Sequence, residues 1–236
     1  MKKRFFVILA LLLMTFAANV AQAGMPTDTV KAGLDKLIAI VHDPKYADKN
    51  LLGEEQVRQL SAAVGEFFDY GELTKRAVGP AWKGFTDAER EELTSTFRTL
   101  LEKTYIKKLE KSFIDELKAF STDSVRFNDE KVKPPFAMVF TTFMLKDKQI
   151  EVNFRLIDKD GTWMVYDIIG EGLTLLGVYK DDFQSALAKM TPEEFVVQLQ
   201  NKIKDVEAGK LDDQTLLDTG KATDGKGETA TQPVAQ

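Results

Sequence analysis

Cysteine is absent from this 236-residue chain, so no disulfide framework exists and apolar burial must hold the fold together. Histidine occurs once, at His42. One His without Cys excludes the usual Cys/His zinc sites and leaves a Ser-His triad only His42 to draw on. A G-x-S-x-G elbow, a phosphate loop and a dinucleotide fingerprint are all missing. Asp158-Lys159-Asp160-Gly161 has the opening of a calcium loop, but Ile169 stands where the closing Glu is needed; the four residues read as a hairpin turn. Positive charge is in deficit, with 32 Lys and Arg against 37 Asp and Glu, net −5. No basic stripe stands ready to neutralise phosphates, which excludes a nucleic-acid partner as the expectation. Beyond the first residues, no run is apolar and long enough to cross a bilayer.

What the chain does have begins with an address. Lys2, Lys3 and Arg4 precede an apolar stretch from Phe5 to Phe16, and Ala21-Gln22-Ala23 follows. That is the order of a signal peptide over 1–23, cut after Ala23. Its core is shorter than the ~20 apolar residues of a membrane span, and no Cys follows the cut to take a lipid anchor. The expected mature protein is soluble and outside the cytoplasm, periplasmic in a Gram-negative cell. At the other end, 207–236 is rich in Gly, Asp, Thr, Lys and Gln. Such a segment cannot bury enough surface to offset its ordering entropy, so a disordered tail is predicted. Residues 24–206 remain for one α+β domain.

Helical periodicity fills the first half. Val30, Leu34, Leu37, Ile38 and Val41 recur at helical spacing after Pro26, and Val57, Leu60, Val64, Phe67 and Phe68 form a second stripe. Asp69 and Glu72 have the spacing of a reciprocal cap, with Gly79-Pro80 ending the short helix that follows. Thr86 and Glu89 repeat that box before a long helix whose apolar residues, Leu101 and Tyr105 among them, recur every four positions. The period then becomes two. Strands are predicted over 136–145, 149–157 and 162–169, with 124–128 as a fourth, and Lys146-Asp147-Lys148 and Asp158 to Gly161 as turns. A four-residue turn pairs Leu156 with Trp163 and Phe154 with Val165. Ile150, Val152, Phe154, Leu156, Trp163 and Val165 then share one face, opposite Glu151, Asn153 and Arg155. A three-residue turn at 146–148 adds Met138 and Phe140 to that face; a slip by one residue puts Val139 and Phe143 there instead. Asp167 falls on the inward face beside Val152, where an unpaired carboxylate is costly. Helices return over 179–190 and 191–206, the second opened by Thr191 and Pro192.

Two stretches carry a likeness. "EFFDYGELTKRAVGPAWKGFTDAEREELTSTFRTLLEKTY", Glu66 to Tyr105, and "VNFRLIDKDGTWMVYDIIGEGLTLLGVYKDDF", Val152 to Phe183, resemble the MlaC-type periplasmic phospholipid carriers, also called the toluene-tolerance family. Phe68-Asp69, Gly79, Trp82 and Thr86, then Trp163, Tyr166-Asp167, Glu171-Gly172, Tyr179 and Phe183 follow in family order. The chain departs from the family pattern at Gly170, often apolar there, and at Lys180, often Arg. The resemblance implies an α+β fold in which a helical lobe packs on a small antiparallel sheet of about four strands, with a hydrophobic lipid cavity between them. It implies phospholipid as cargo, no cofactor, no metal and no catalytic residue. The implied partners are an inner-membrane ABC lipid transporter with its lipid-binding ring protein and an outer-membrane lipoprotein–porin complex. The implied role is lipid shuttling that maintains outer-membrane asymmetry.

On that reading the residues expected to meet acyl chains are Leu101 and Tyr105 of the long helix, Met138 and Phe140, and Val152, Phe154 and Leu156. Trp163, Val165 and Ile168 join them. Gly170 to Gly177 is expected to be a movable rim with Leu173, Leu175 and Leu176 facing the tails. A plainer reading stays open, in which those leucines only pack the sheet against the next helix. Two other functions also stay open: an enzyme using the same pocket with Asp167 as acid or base, and a binding adaptor with a solid core.

Overall fold

Three antiparallel hairpins in succession build the sheet, and each register follows from the length of its turn. The computed structural model describes residues 25–46, 53–112, 119–145 and 148–210. The predicted signal peptide and all but the first few residues of the predicted tail lie outside them, as do 113–118, expected from the sequence to continue the long helix, and 146–147. The strands are β1 (Val125–Lys133), β2 (Phe136–Leu145), β3 (Lys148–Lys159), β4 (Thr162–Gly170) and the two-residue β5 (Leu173–Thr174). They form one sheet in the order β1-β2-β3-β4-β5, one strand more than the sequence suggested. The helices among the described residues are α1 (Pro26–Val41), α2 (Glu54–Phe67), α3 (Tyr70–Val78), α4 (Asp87–Ser112), α5 (Leu175–Leu187) and α6 (Pro192–Glu207). The fold is α+β, as expected.

The chain divides into two compact units, one made of Met1–Asp69 and Ser112–Gly172, the other of Tyr70–Lys111 and Leu173–Gln236. In the first, α1 and α2 pack on each other and on the sheet. Thr27 at the start of α1 donates from its backbone N–H (2.7 Å) and its Oγ1 (2.6 Å) to Glu130 of β1. Glu130 lies opposite Val139, so α1 covers the face carrying Ala137, Val139 and Thr141. The second unit is held by an aromatic cluster. The Phe97 ring lies 4.9 Å from Tyr179 and 4.7 Å from Phe183, and Phe183 lies 4.9 Å from Phe195. Edge and tilted ring contacts of this kind add to plain apolar burial.

Helix ends follow the sequence closely. Thr86 and Glu89 exchange hydrogen bonds, backbone N of Thr86 to Oε2 at 2.6 Å and backbone N of Glu89 to Oγ1 at 3.3 Å. Thr191 and Glu194 do the same at the head of α6, with Pro192 at its first position. His42 sits at the C-cap of α1. Asp69 instead donates its backbone N–H to the Val165 carbonyl at 2.6 Å, and Glu72 reaches Arg76 at 2.7 Å and Lys75 at 3.3 Å.

The hairpins depart from the predicted register, for two reasons. Leu145 pairs with Lys148 and Lys159 with Thr162, so both turns have two residues where three and four were expected. At the second, Asp160 (φ 54) and Gly161 (φ 87) both take positive φ, the conformation whose twist matches the flanking strands. Asp158 belongs to β3, and its Oδ1 accepts from Gly161 N at 2.8 Å. The shorter first turn realises the one-residue slip: Ala137, Val139, Thr141 and Phe143 line the helix-covered face, and Met138 and Phe140 lie on the other, opposite Arg155 and Asn153. Leu156 pairs with Val165, not Trp163.

A register break between Arg155 and Leu156 then leaves Tyr166 as an extra residue in β4. Such a bulge reverses which way the following side chains point. Asp167 therefore stands opposite Arg155, on the face away from Val152, and Val152 meets Gly170 instead. The inward Asp167 expected from strict alternation is corrected by this one residue.

Candidate functional site

Burial changes along the helix-covered face. At one end, Ala137, Val139, Phe154, Leu156, Trp163 and Val165 are sealed. Towards the other end the equally apolar Phe143, Leu145, Ile150, Val152 and Ile168 are only half-buried. Cross-strand pairs define the order: Val139 with Phe154, then Thr141 with Val152, then Phe143 with Ile150, then Leu145 with Lys148. Along β3 full burial stops between Phe154 and Val152, while on β2 it runs on through Thr141.

The helix above follows the same gradient. Near its start, by Glu130, Val30 has no exposed surface. Further along, Asp35 accepts from Thr122 Oγ1 at 3.1 Å, just before β1 begins at the Phe143 end. From there Leu34, Leu37, Ile38 and Val41 are half-buried. Phe120 stacks on Phe143 with ring centres 5.3 Å apart. Gln56, itself buried, donates to the Ile40 carbonyl at 3.1 Å and closes the end of the helix. The first unit thus carries a strip of aliphatic side chains on strand and helix that its own packing leaves partly uncovered.

The structure separates the predicted site residues into groups. Val152 and Ile168 lie in the strip. Phe154, Leu156, Trp163 and Val165 share its face but sit in the sealed part. Met138 and Phe140 are half-buried on the opposite face, with Lys131 Nζ 5.1 Å from the Phe140 ring centre. The rest belong to the second unit. There Leu101 is buried, Tyr105 is 38% exposed and Leu173 63% exposed, while Leu175 and Leu176 are half-buried.

The 170–177 segment is more ordered in type than a loop. Gly170 ends β4, Glu171 and Gly172 make a tight turn with positive φ, and α5 already starts at Leu175. Thr174 caps that helix, its Oγ1 accepting from Gly177 N at 2.7 Å. Gly177 is therefore a first-turn residue of a helix.

The buried carboxylates of Asp69, Glu72 and Asp167 have cationic partners. Arg155 Nη1 lies 2.9 Å from Asp167 Oδ2, and Lys159 pairs with Asp69. Arg98 donates to Glu102 at 2.8 Å and stacks 5.0 Å from the Tyr70 ring centre. Burial first, and Glu102 second, push the Tyr70 phenol up to about 12, and burial pushes Tyr179 up as well. Burial also raises Asp182 and lowers Lys202. Among the described residues no group of His, Asp or Glu is placed to hold a metal ion, and no helix is long and apolar enough to cross a membrane. The strip offers contact area without acid, base or nucleophile.

Sequence reasoning missed α1's share of the strip, together with Phe120 and Leu145; it put Ile150 on the apolar face, and Phe143 there in the alternative register, without naming either as a lipid contact. The α1 stripe was visible, but an apolar stripe reads alike for a core and for a ligand surface. The β2 members were hidden by one turn residue.

Comparison with known proteins agrees with this architecture. No curated protein sequence matches significantly. Among solved structures, the phospholipid-binding protein of Ralstonia solanacearum, determined in complex with a phospholipid, aligns with TM-score 0.67 at 21% identity, covering 78% of this chain and 99% of that one. The family model described as MlaC protein matches residues 31–201, most of the chain and nearly all of its described part. The chain belongs to the MlaC family.

Proposed function

We propose that this protein is a soluble phospholipid carrier, with the half-covered strip of its first unit receiving acyl chains. The observation that carries the reading is the fold shared, over nearly the whole of its length, with a protein solved with phospholipid bound, in a chain whose own sequence matches the MlaC family. The strip supplies the matching chemistry. Moving a phospholipid through water exposes ~30 methylenes at about 0.8 kcal/mol each, a barrier of tens of kcal/mol. A carrier removes most of that barrier by offering hydrocarbon walls, and it needs no reactive group to do so.

Within this reading the chain is exported by a cleaved signal peptide and works in the periplasm. It exchanges lipid with an inner-membrane ABC transporter bearing a lipid-binding ring protein and with an outer-membrane lipoprotein–porin complex, which supports lipid asymmetry of the outer membrane. Phospholipid is cargo, and no cofactor is required. An enzymatic role for Asp167 has less support, because its carboxylate is fully buried against Arg155 on the face away from the strip.

Organic-solvent extraction and native mass spectrometry of protein isolated from the periplasm test the proposal. Stoichiometric phospholipid and a mature N-terminus at Gly24 are expected. Val152→Glu, which puts a charge into the strip at a partly exposed position, should fold yet lose the lipid. Native protein free of lipid would end the carrier reading.

A further inference from the structure

Three glycines interrupt residues 164–183, and the structure explains two of them. Gly172 has φ 82, a left-handed conformation that glycine adopts at no steric cost. A Cβ on Gly177 would lie 2.8 Å from Thr174 Oγ1, so the cap that starts α5 keeps that residue small. Gly170 has neither reason. It is not among the positive-φ residues, and a Cβ on it would meet no described heavy atom within 4 Å. Glycine weakens a strand, and where backbone geometry does not demand it, it often marks close approach by a ligand.

Its place on the sheet says which ligand. Gly170 stands directly opposite Val152, on the strip face, one pair beyond Ile168 and Phe154. On β3 that is where full burial gives way to half-burial, from Phe154 to Val152, while Thr141 across from Val152 on β2 stays buried. Phe154 is 4% exposed and Val139 not at all, and close-packed side chains of this kind admit no added methylene without strain.

We propose that Gly170 sets how much acyl chain the protein holds, an inference that rests on the carrier reading above. The missing side chain leaves the β4 backbone bare beside Val152. The far methylenes of a phospholipid chain lie against that bare backbone, and the sealed residues Val139 and Phe154 stop the chain end. Gly170 is thus a specificity-determining residue for chain length, and Val152 is its partner across the strands.

The test loads delipidated protein from vesicles holding equal amounts of dimyristoyl, dipalmitoyl and distearoyl phosphatidylglycerol and reads the bound species by native mass spectrometry. Gly170→Val suits a strand and its Cβ meets no neighbour within 4 Å, so its melting temperature should not fall. Its bound distearoyl-to-dimyristoyl ratio should drop by about tenfold relative to the parent protein, the worth of roughly two displaced methylenes. Val152→Ala should move the ratio the other way. A folded Gly170→Val protein with the parent ratio overturns the proposal. Should that variant not fold, Gly170→Ala carries the test, with a smaller drop expected and an unchanged ratio overturning it. A parent protein that takes up none of the three lipids refutes the carrier reading itself, a result separate from lipid uptake with unaltered chain preference.

Discussion

Asp167 has no exposed surface, and it is tolerable there because the bulge at Tyr166 turns it towards Arg155. A buried charge that loses its counter-ion costs far more than the pair contributes. Arg155→Ala should therefore destabilise the protein by about 3 kcal/mol in urea unfolding, the low end of the range because the guanidinium is partly exposed. A loss under ~1 kcal/mol, the level of an exposed ion pair, would show that Asp167 does not depend on Arg155. Tyr70 gives a second residue-scale expectation, in alkaline solution. Its folded value is raised from 10.0 to about 12, chiefly by burial, so folding favours the neutral phenol. Its contribution is whole below pH 10 and is lost as pH rises from 10 through about 12. The urea midpoint should fall across that window, and Tyr70→Phe should flatten the fall. Equal slopes in the two proteins would remove Tyr70 as a cause.

At the scale of elements, α5 depends on a single threonine for its start. Thr174→Ala removes the acceptor for Gly177 N and should cost about 1 kcal/mol in thermal or urea unfolding. An unchanged midpoint would mean that the first turn is held by other contacts. Caps such as Thr86–Glu89 and Thr191–Glu194 were legible because they depend only on neighbours in sequence. The sheet was legible in its strands and their order but not in register. Lys148, Asp158 and Lys159 are polar and look like turn residues, yet they complete strands whose ends face water. β1 was read only to Asn128 because Asp129, Glu130, Lys131 and Lys133 resemble a loop. Charges of that kind suit an edge strand with one neighbour, where they discourage pairing with other chains. Tyr166 left no mark of the bulge, since an extra residue in a strand looks like any other. With strict alternation Asp167 seemed to face the core, and the consequence of that single insertion reached the candidate site.

For the whole molecule, the carrier reading asks the same aliphatic side chains to serve both a folded core and a cargo surface, with only partial exposure separating the two uses. Leu34, Leu37, Ile38 and Val41 on α1 could not be assigned from their spacing, because nothing in a helical stripe says whether protein or lipid will cover it. This ambiguity has a thermodynamic counterpart. If lipid completes the packing of the strip, it binds the native chain and not the unfolded one, so stability must depend on occupancy. A cargo present at a hundred times its dissociation constant contributes about 2.7 kcal/mol. For a chain of this size each kcal/mol moves the melting temperature by roughly 2–4 °C, so delipidation should lower it by about 5–10 °C, and added phospholipid should restore it. Val152→Glu should melt at the same temperature with and without lipid, since it cannot gain what it cannot bind. A delipidated parent protein melting no lower than the loaded one would mean that the strip is complete without cargo and serves as core alone.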